Sequence, residues 1–243
     1  MAELKHGFAS TNGIRMHYVE AGSGPLVVMC HGWPESWYSW RHQLHALAAA
    51  GFRAVAPDQR GYGQTDKPEP IEAYNILNLV SDIVGLVNSL GEERAVIVGH
   101  DWGAPVAWTC ALIRTDMFRG LGLLSVPYVP RAPISPAEYY EAITQTKNFY
   151  QDYFQEPGKV EKELEADVRR SMLSILYTGS GDAPAQDRFK FLFEKNQRFA
   201  DTFVIPAKLP PWLTEQDLDF FTNEFRQSGF RGGVNWYRNI QRN

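Results

Sequence analysis

Cysteine is scarce: the 243 residues hold two, Cys30 in an apolar strand-like run and Cys110 in a helical one. Two thiols in separate apolar segments build neither a disulfide framework nor a zinc site, and this usage fits a reducing cytoplasm. A charge excess is missing as well. Lys and Arg number 24 against 28 Asp and Glu, a net charge of −4, with no basic run to track a phosphate backbone. Nucleic acid is therefore not the expected partner. No apolar stretch approaches the roughly 20 residues of a membrane span. The opening Met1-Ala2-Glu3-Leu4-Lys5-His6 lacks the apolar centre of a secretory leader. Internal repeats and low-complexity tracts are absent, and no metal or organic cofactor is expected. What remains, 44% hydrophobic and 21% charged, predicts a soluble globular chain large enough for one domain with an insertion.

The first half alternates strands and helices. Residues 5–22 read as a hairpin turning at Asn12-Gly13. Leu26 to Cys30 is a continuous apolar run that suits a strand buried on both faces. A helix over 36–50 follows, with Ser36 as N-cap and Gly51 closing it. Arg53 to Asp58 predicts a strand, Gln59 to Asp66 a glycine-rich loop, and Ile76 to Leu90 a helix stopped by Gly91. Strands at 96–98 and 120–126 flank another helix. This alternation predicts a parallel sheet covered on both faces, with reactive groups at the carboxyl ends of its strands. His31 to Pro34, the loop after Asp58, and Asp101 all fall at such ends. From Pro127 the chain turns helical between proline-rich breaks, with helices expected near 136–153, 159–176, 186–199, 214–228 and 234–242. The division is a core over 1–126 and a helical lid over 127–243.

The chain is organised around Val96-Ile97-Val98-Gly99-His100-Asp101-Trp102-Gly103-Ala104. A β-branched run enters small-x-acid-x-small and leaves as a helix, the pattern of a nucleophile elbow with Asp in place of Ser. Asp101 would stand at a helix N-terminus, where backbone N–H groups favour its ionised form. The pentapeptide by itself serves equally as a plain turn with an Asp N-cap.

Five segments in order remove that ambiguity. His31-Gly32-Trp33-Pro34-Glu35-Ser36, Asp58-Gln59-Arg60-Gly61-Tyr62-Gly63, Gly99-His100-Asp101-Trp102-Gly103, Phe149-Tyr150-Gln151-Asp152-Tyr153-Phe154-Gln155-Glu156-Pro157-Gly158 and Asn235-Trp236-Tyr237-Arg238-Asn239 together resemble the soluble epoxide hydrolases. The resemblance spans nearly the whole chain. It implies an α/β-hydrolase core with an inserted helical lid, acting on a small apolar epoxide and water. By that resemblance Asp101 is the nucleophile that forms an alkyl ester. Tyr150 and Tyr237 are the lid phenols that donate to the epoxide oxygen. The N–H groups of Trp33 and Trp102 form the oxyanion hole, and Trp33, Trp102 and Gln151 line the substrate pocket. The Trp33-Pro34 bond is expected to be cis. His31 and His100 are read as structural: His31 holds the rim loop and His100 packs beside the elbow.

The pattern then breaks. The family completes its site with an acid and a His after the lid, whereas the six histidines here, His6, His17, His31, His42, His45 and His100, all precede Asp101. No Asp or Glu occurs from Arg119 to Ala137. The expectation is a C-terminally truncated fragment lacking the last core strands, with an apolar sheet edge open to a second copy or to a chain that supplies them. Two rivals are a haloalkane dehalogenase, which shares the Asp-Trp pair but needs no phenol donors, and a non-catalytic binding protein with an apolar pocket. A serine esterase is disfavoured by Asp at the elbow.

Overall fold

The computed structural model describes residues 2–130 and 132–243. It divides into two compact units, Met1–Arg131 with Asn243, and Ala132–Arg242.

The first unit is a six-stranded sheet with helices. Its strands are β1 (Lys5–Thr11), β2 (Ile14–Ala21), β3 (Leu26–Cys30), β4 (Arg53–Pro57), β5 (Ala95–His100) and β6 (Phe118–Leu124), in the order β1-β2-β4-β3-β5-β6. Helices α1 (Arg41–Ala49), α2 (Ile76–Ser89) and α3 (Gly103–Ile113) fill the crossovers. The sheet is mixed, not wholly parallel. β3 pairs parallel with β4 and β5, and β5 with β6, while β1 and β2 join antiparallel. The hairpin explains the exception: Asn12 (φ 43°) and Gly13 (φ 75°) both take the left-handed conformation of a two-residue turn whose twist matches that of its strands.

β3 is buried at all five positions, as a central parallel strand should be. Each Leu or Val removed from water there contributes about 1.5–3 kcal/mol. One buried polar cluster joins three elements. Arg60 grips the Asp82 carboxylate with two N–H groups at 2.7 and 2.6 Å, and Asn12 donates to the same carboxylate at 3.0 Å, tying the hairpin turn to α2. The expected helix over 36–50 is a short 3₁₀ turn, Trp37–Trp40, running into α1, with Ser36 capping the turn. Cys30 and Cys110 are buried free thiols, and burial pushes the Cys30 pKa up to about 12.

The second unit holds α4 (Pro136–Ile143), β7 (Lys147–Phe149), α5 (Tyr150–Tyr153), α6 (Lys159–Glu165), α7 (Val168–Thr178), β8 (Leu192–Glu194), α8 (Glu215–Ser228) and α9 (Arg231–Arg238). Three of the expected helices are corrected; the span 159–176 breaks at Ala166-Asp167 into α6 and α7, where Asp167 caps the second. The span 136–153 breaks after Ile143, where the β-branched Thr144 and Thr146 favour extended backbone, and β7 pairs antiparallel with β8. The span 186–199 carries no helix: its aromatics alternate through Phe189, Phe191 and Phe193, and it contributes β8 before a 3₁₀ turn at Phe199–Thr202. The last expected helix, 234–242, begins earlier, as α9. Capping boxes at Ser135/Glu138 and Thr214/Asp217 start α4 and α8.

Among the described residues no helix is long and apolar enough to cross a membrane. No group of three or more side chains there is placed to hold a metal ion.

Candidate functional site

β5 delivers Asp101 to the sheet rim in a backbone conformation that L-residues avoid, with φ 49°. The turn is that tight because three glycines let chains pass without side chains between them. A Cβ on Gly99 would lie 2.1 Å from the Gly103 carbonyl oxygen, and one on Gly103 would lie 2.1 Å from that of Cys30. A Cβ on Gly32 would meet the Asp101 side chain itself, at 2.4 Å from its Cβ and 2.7 Å from Oδ1. Asp101 is thereby seated directly against the loop that follows β3.

That loop supplies the carboxylate's partner. The Trp33 N–H donates to Asp101 Oδ1 at 2.9 Å. Burial pushes the Asp101 pKa above its ordinary value; the Trp33 and Trp102 amides pull it back, Glu35 adds to the rise and His100 opposes it. The two backbone amides expected from the sequence thus both bear on this carboxylate. The Trp33-Pro34 peptide is cis.

The loop is held from several sides. His31 is fully buried; its Nε2 accepts from the Gln59 N–H at 3.1 Å, which leaves Nδ1 to donate to the Gly32 carbonyl at 2.8 Å. The Gln59 side chain donates to the His31 carbonyl. Asp58 accepts from the Trp37 N–H at 3.0 Å and, through its other oxygen, from His17 Nδ1 at 2.7 Å. Burial works to raise the Asp58 pKa, but the His17 bond and the Trp37 amide hold it below the usual carboxylate value.

One ion pair in this region leaves little signature in the sequence. Glu35 Oε1 lies 2.9 Å from His100 Nδ1, and Glu35 Oε2 accepts from the Gly32 N–H at 3.2 Å. Burial disfavours the charged imidazole, yet the Glu35 bond and the charges of Glu35 and Asp101 outweigh it and push the His100 pKa up to about 9. The same partner keeps the Glu35 pKa low against the effect of its own burial. His100 is therefore more than a packing residue: it is an imidazolium at neutral pH, next in sequence to Asp101. A Glu two places after the Trp of the His-Gly-Trp-Pro loop is the only trace the sequence offers.

In the second unit, Tyr150 on α5 and Tyr237 on α9 meet edge to face with ring centroids 5.8 Å apart. The anchor is Arg238. Its guanidinium binds Glu161 at 2.6 and 3.0 Å and reaches the carbonyls of Phe154 and Glu156, all nearly or fully sequestered apart from the last. Gln155 donates to the carbonyls of both Gln151 and Tyr237. α9 and the Tyr150-to-Pro157 segment are thus one assembly. Gln151 sits between phenols, with Tyr140 donating to its Oε1 at 3.1 Å and its Nε2 donating to Tyr150 at 2.8 Å.

The family model for the alpha/beta hydrolase fold matches residues 25–164. Epoxide hydrolase A of Mycobacterium tuberculosis is 45% identical over 238 residues, which cover 96% of this chain and 73% of that protein. An epoxide hydrolase structure from an endophytic Streptomyces superposes with a TM-score of 0.93 at 49% identity, covering 98% of this chain and 72% of its own. The crystal structure of epoxide hydrolase A from Mycobacterium thermoresistibile gives 0.92 at 44% identity, over 99% and 76%.

Proposed function

Since the chain belongs to the epoxide hydrolase family of the α/β-hydrolase fold, we propose that Asp101 is the nucleophile by which it opens an epoxide to a vicinal diol. One Asp101 oxygen bonds to an epoxide carbon, the ring C–O bond breaks, and the released oxygen takes a proton from a phenol. Tyr150 and Tyr237 are the proposed donors, because an alkoxide needs a proton delivered as its charge develops. Water then attacks the ester carbonyl, and the proton it gives up restores the phenol. The Trp33 and Trp102 N–H groups would hold the oxyanion that forms, and the carboxylate is regenerated as the diol departs. The Trp33 and Trp102 rings and Gln151 are proposed to contact substrate, and the second unit is proposed to act as the lid.

The observation that carries this reading is Asp101 itself: a carboxylate at positive φ, pressed against Gly32, with a backbone donor on Oδ1. An ordinary helix cap or turn Asp needs none of that construction. Paired phenols on α5 and α9 favour an epoxide over a haloalkane, whose halide leaves without a proton.

Ester formation needs no general base, so it is the step to assay in a sequence with no His after Asp101. Incubation with styrene oxide is expected to add the mass of one epoxide, mapped to Asp101, and Asp101→Asn is expected to abolish the gain. An unmodified chain, or a gain that survives Asp101→Asn, overturns the assignment. Halide release from an alkyl bromide without reaction at epoxides would establish the dehalogenase instead.

A further inference from the structure

Beside Tyr150, the hydroxyl of Tyr140 has no place in the mechanism above, and the amide of Gln151 enters it only as a substrate contact. We propose that they form a relay that fixes the direction of the Tyr150 O–H, making Gln151 and Tyr140 positioning residues for proton delivery. The proposal rests on the reading of Tyr150 as a donor.

The direction follows from the chemistry of the amide. Gln151 Nε2 carries two hydrogens and accepts nothing, so at 2.8 Å from Tyr150 Oη it can only donate. The Tyr150 oxygen is the acceptor in that contact, and its own hydrogen points away from Gln151. A phenol that accepts one hydrogen bond is polarised to donate a stronger one. Were the amide reversed, Oε1 would face Tyr150 and consume the proton that the substrate oxygen needs.

Tyr140 decides between the two orientations. Its side chain is buried on α4, with its ring against Phe149 at 5.5 Å, and its hydroxyl bonds Gln151 Oε1 at 3.1 Å. A buried O–H left without an acceptor costs about 1–3 kcal/mol. Tyr150 is only half-buried, so its O–H can find an acceptor elsewhere, whereas that of Tyr140 cannot; Tyr140 therefore donates and Oε1 turns toward it. Nε2 is left facing Tyr150. The backbone of Gln151 is fixed by Gln155, whose amide donates to its carbonyl at 2.8 Å. The ionisable groups bearing on Tyr140 are Tyr150, Asp152 and Tyr139.

The test is the rate of ester formation under single-turnover conditions with styrene oxide, with Tm measured in parallel. Gln151→Glu places a carboxylate that accepts from both phenols and turns the Tyr150 proton inward. It is expected to slow ester formation on the order of 100-fold at neutral pH, the lower end of what general acid catalysis supplies. As pH falls and the new carboxyl is protonated, it can donate to Tyr150, so the variant-to-wild-type rate ratio should climb; in that ratio the shared titration of Asp101 cancels. Gln151→Met, similar in volume, should lose roughly 10-fold with no pH dependence in the ratio, and Tyr140→Phe a few-fold with the packing kept. A neutral-pH rate for Gln151→Glu equal to wild type overturns the relay, as does a pH-independent ratio that follows the loss of Tm. Tyr150→Phe reacting at the wild-type rate would remove Tyr150 from the chemistry, and the relay with it.

Discussion

Substituting Gly32 by Ala tests the seating of Asp101 with a single methyl group. An ideal Cβ at position 32 falls 2.4 Å from Asp101 Cβ, 2.9 Å from Cγ and 2.7 Å from Oδ1. Ordinary carbon–carbon contact is about 3.5–4.0 Å, so the two must separate by roughly 1 Å or more. Neither can give way cheaply, since Asp101 is held at φ 49° by the elbow and the Gly32 N–H is bound to Glu35. The displacement also pulls Oδ1 off the Trp33 N–H, at present 2.9 Å away. A misplacement of about 1 Å costs on the order of 100-fold in rate, and overpacking costs about 1–3 kcal/mol in stability. At about 2–4 °C per kcal/mol for a chain of this size, Tm should fall by roughly 2–12 °C. The matched control is Gly91→Ala. Position 91 lies at φ 76° with open space around it, so the added methyl costs backbone strain of about 1–2 kcal/mol and touches nothing near Asp101. Ester formation measured by intact mass should drop about 100-fold in Gly32→Ala and hold in Gly91→Ala. Wild-type kinetics in Gly32→Ala, or equal losses in both variants, would refute the argument.

The Glu35–His100 pair should write itself into the pH dependence of stability. A His whose folded pKa is raised stabilises fully below its unfolded value of 6.5 and loses that contribution as pH rises through about 9. Glu35, whose folded pKa is lowered, contributes above its ordinary 4.5 and loses this as pH falls through its folded value. Differential scanning fluorimetry should therefore show a wild-type advantage over Glu35→Gln that is largest between pH 4.5 and 6.5 and closes toward pH 9; parallel curves across that range would count against the pair. Arg238→Met should destabilise by about 3–5 kcal/mol, because it strands Glu161 as a buried charge. Most of that should return in Arg238→Met/Glu161→Met, with hydrogen exchange placing the loss in α6, α9 and the segment between Tyr150 and Glu156.

Local chemistry was readable from the chain, and long-range pairing was not. The Asn12-Gly13 turn, the apolar run of β3 and the Gly99-to-Gly103 elbow each announce themselves within a few residues, because a turn or a buried strand places its demand on adjacent positions. β7 and β8 do not. Lys147 to Phe149 continues a helical pattern until Leu192 to Glu194, more than forty residues later, pairs with it. The surroundings of Asp101 and of Tyr150 each divide the same way. Asp101, Trp33 and Trp102 stand inside contiguous motifs, whereas Glu35 with His100 and Tyr140 with Gln151 are partnerships between motifs that no spacing rule connects. Arg60 and Asp82 make the point again: a charged residue on a helical apolar face looks like a solvated one until its guanidinium partner arrives from another loop.

β6 closes one side of the six-stranded sheet, and Leu121 and Leu124 on it are each 43% exposed. Hydrogen bonding along such a border is indifferent to whose chain answers it, but direction is not. A neighbour running the same way as β6 would end level with Asp101 and release its following loop beside the carboxylate; one running the opposite way would begin there and carry its far end to the other face of the molecule. A polypeptide recruited to that border therefore meets the rim beside Asp101 with the segment after its strand in one orientation and with the segment before it in the other.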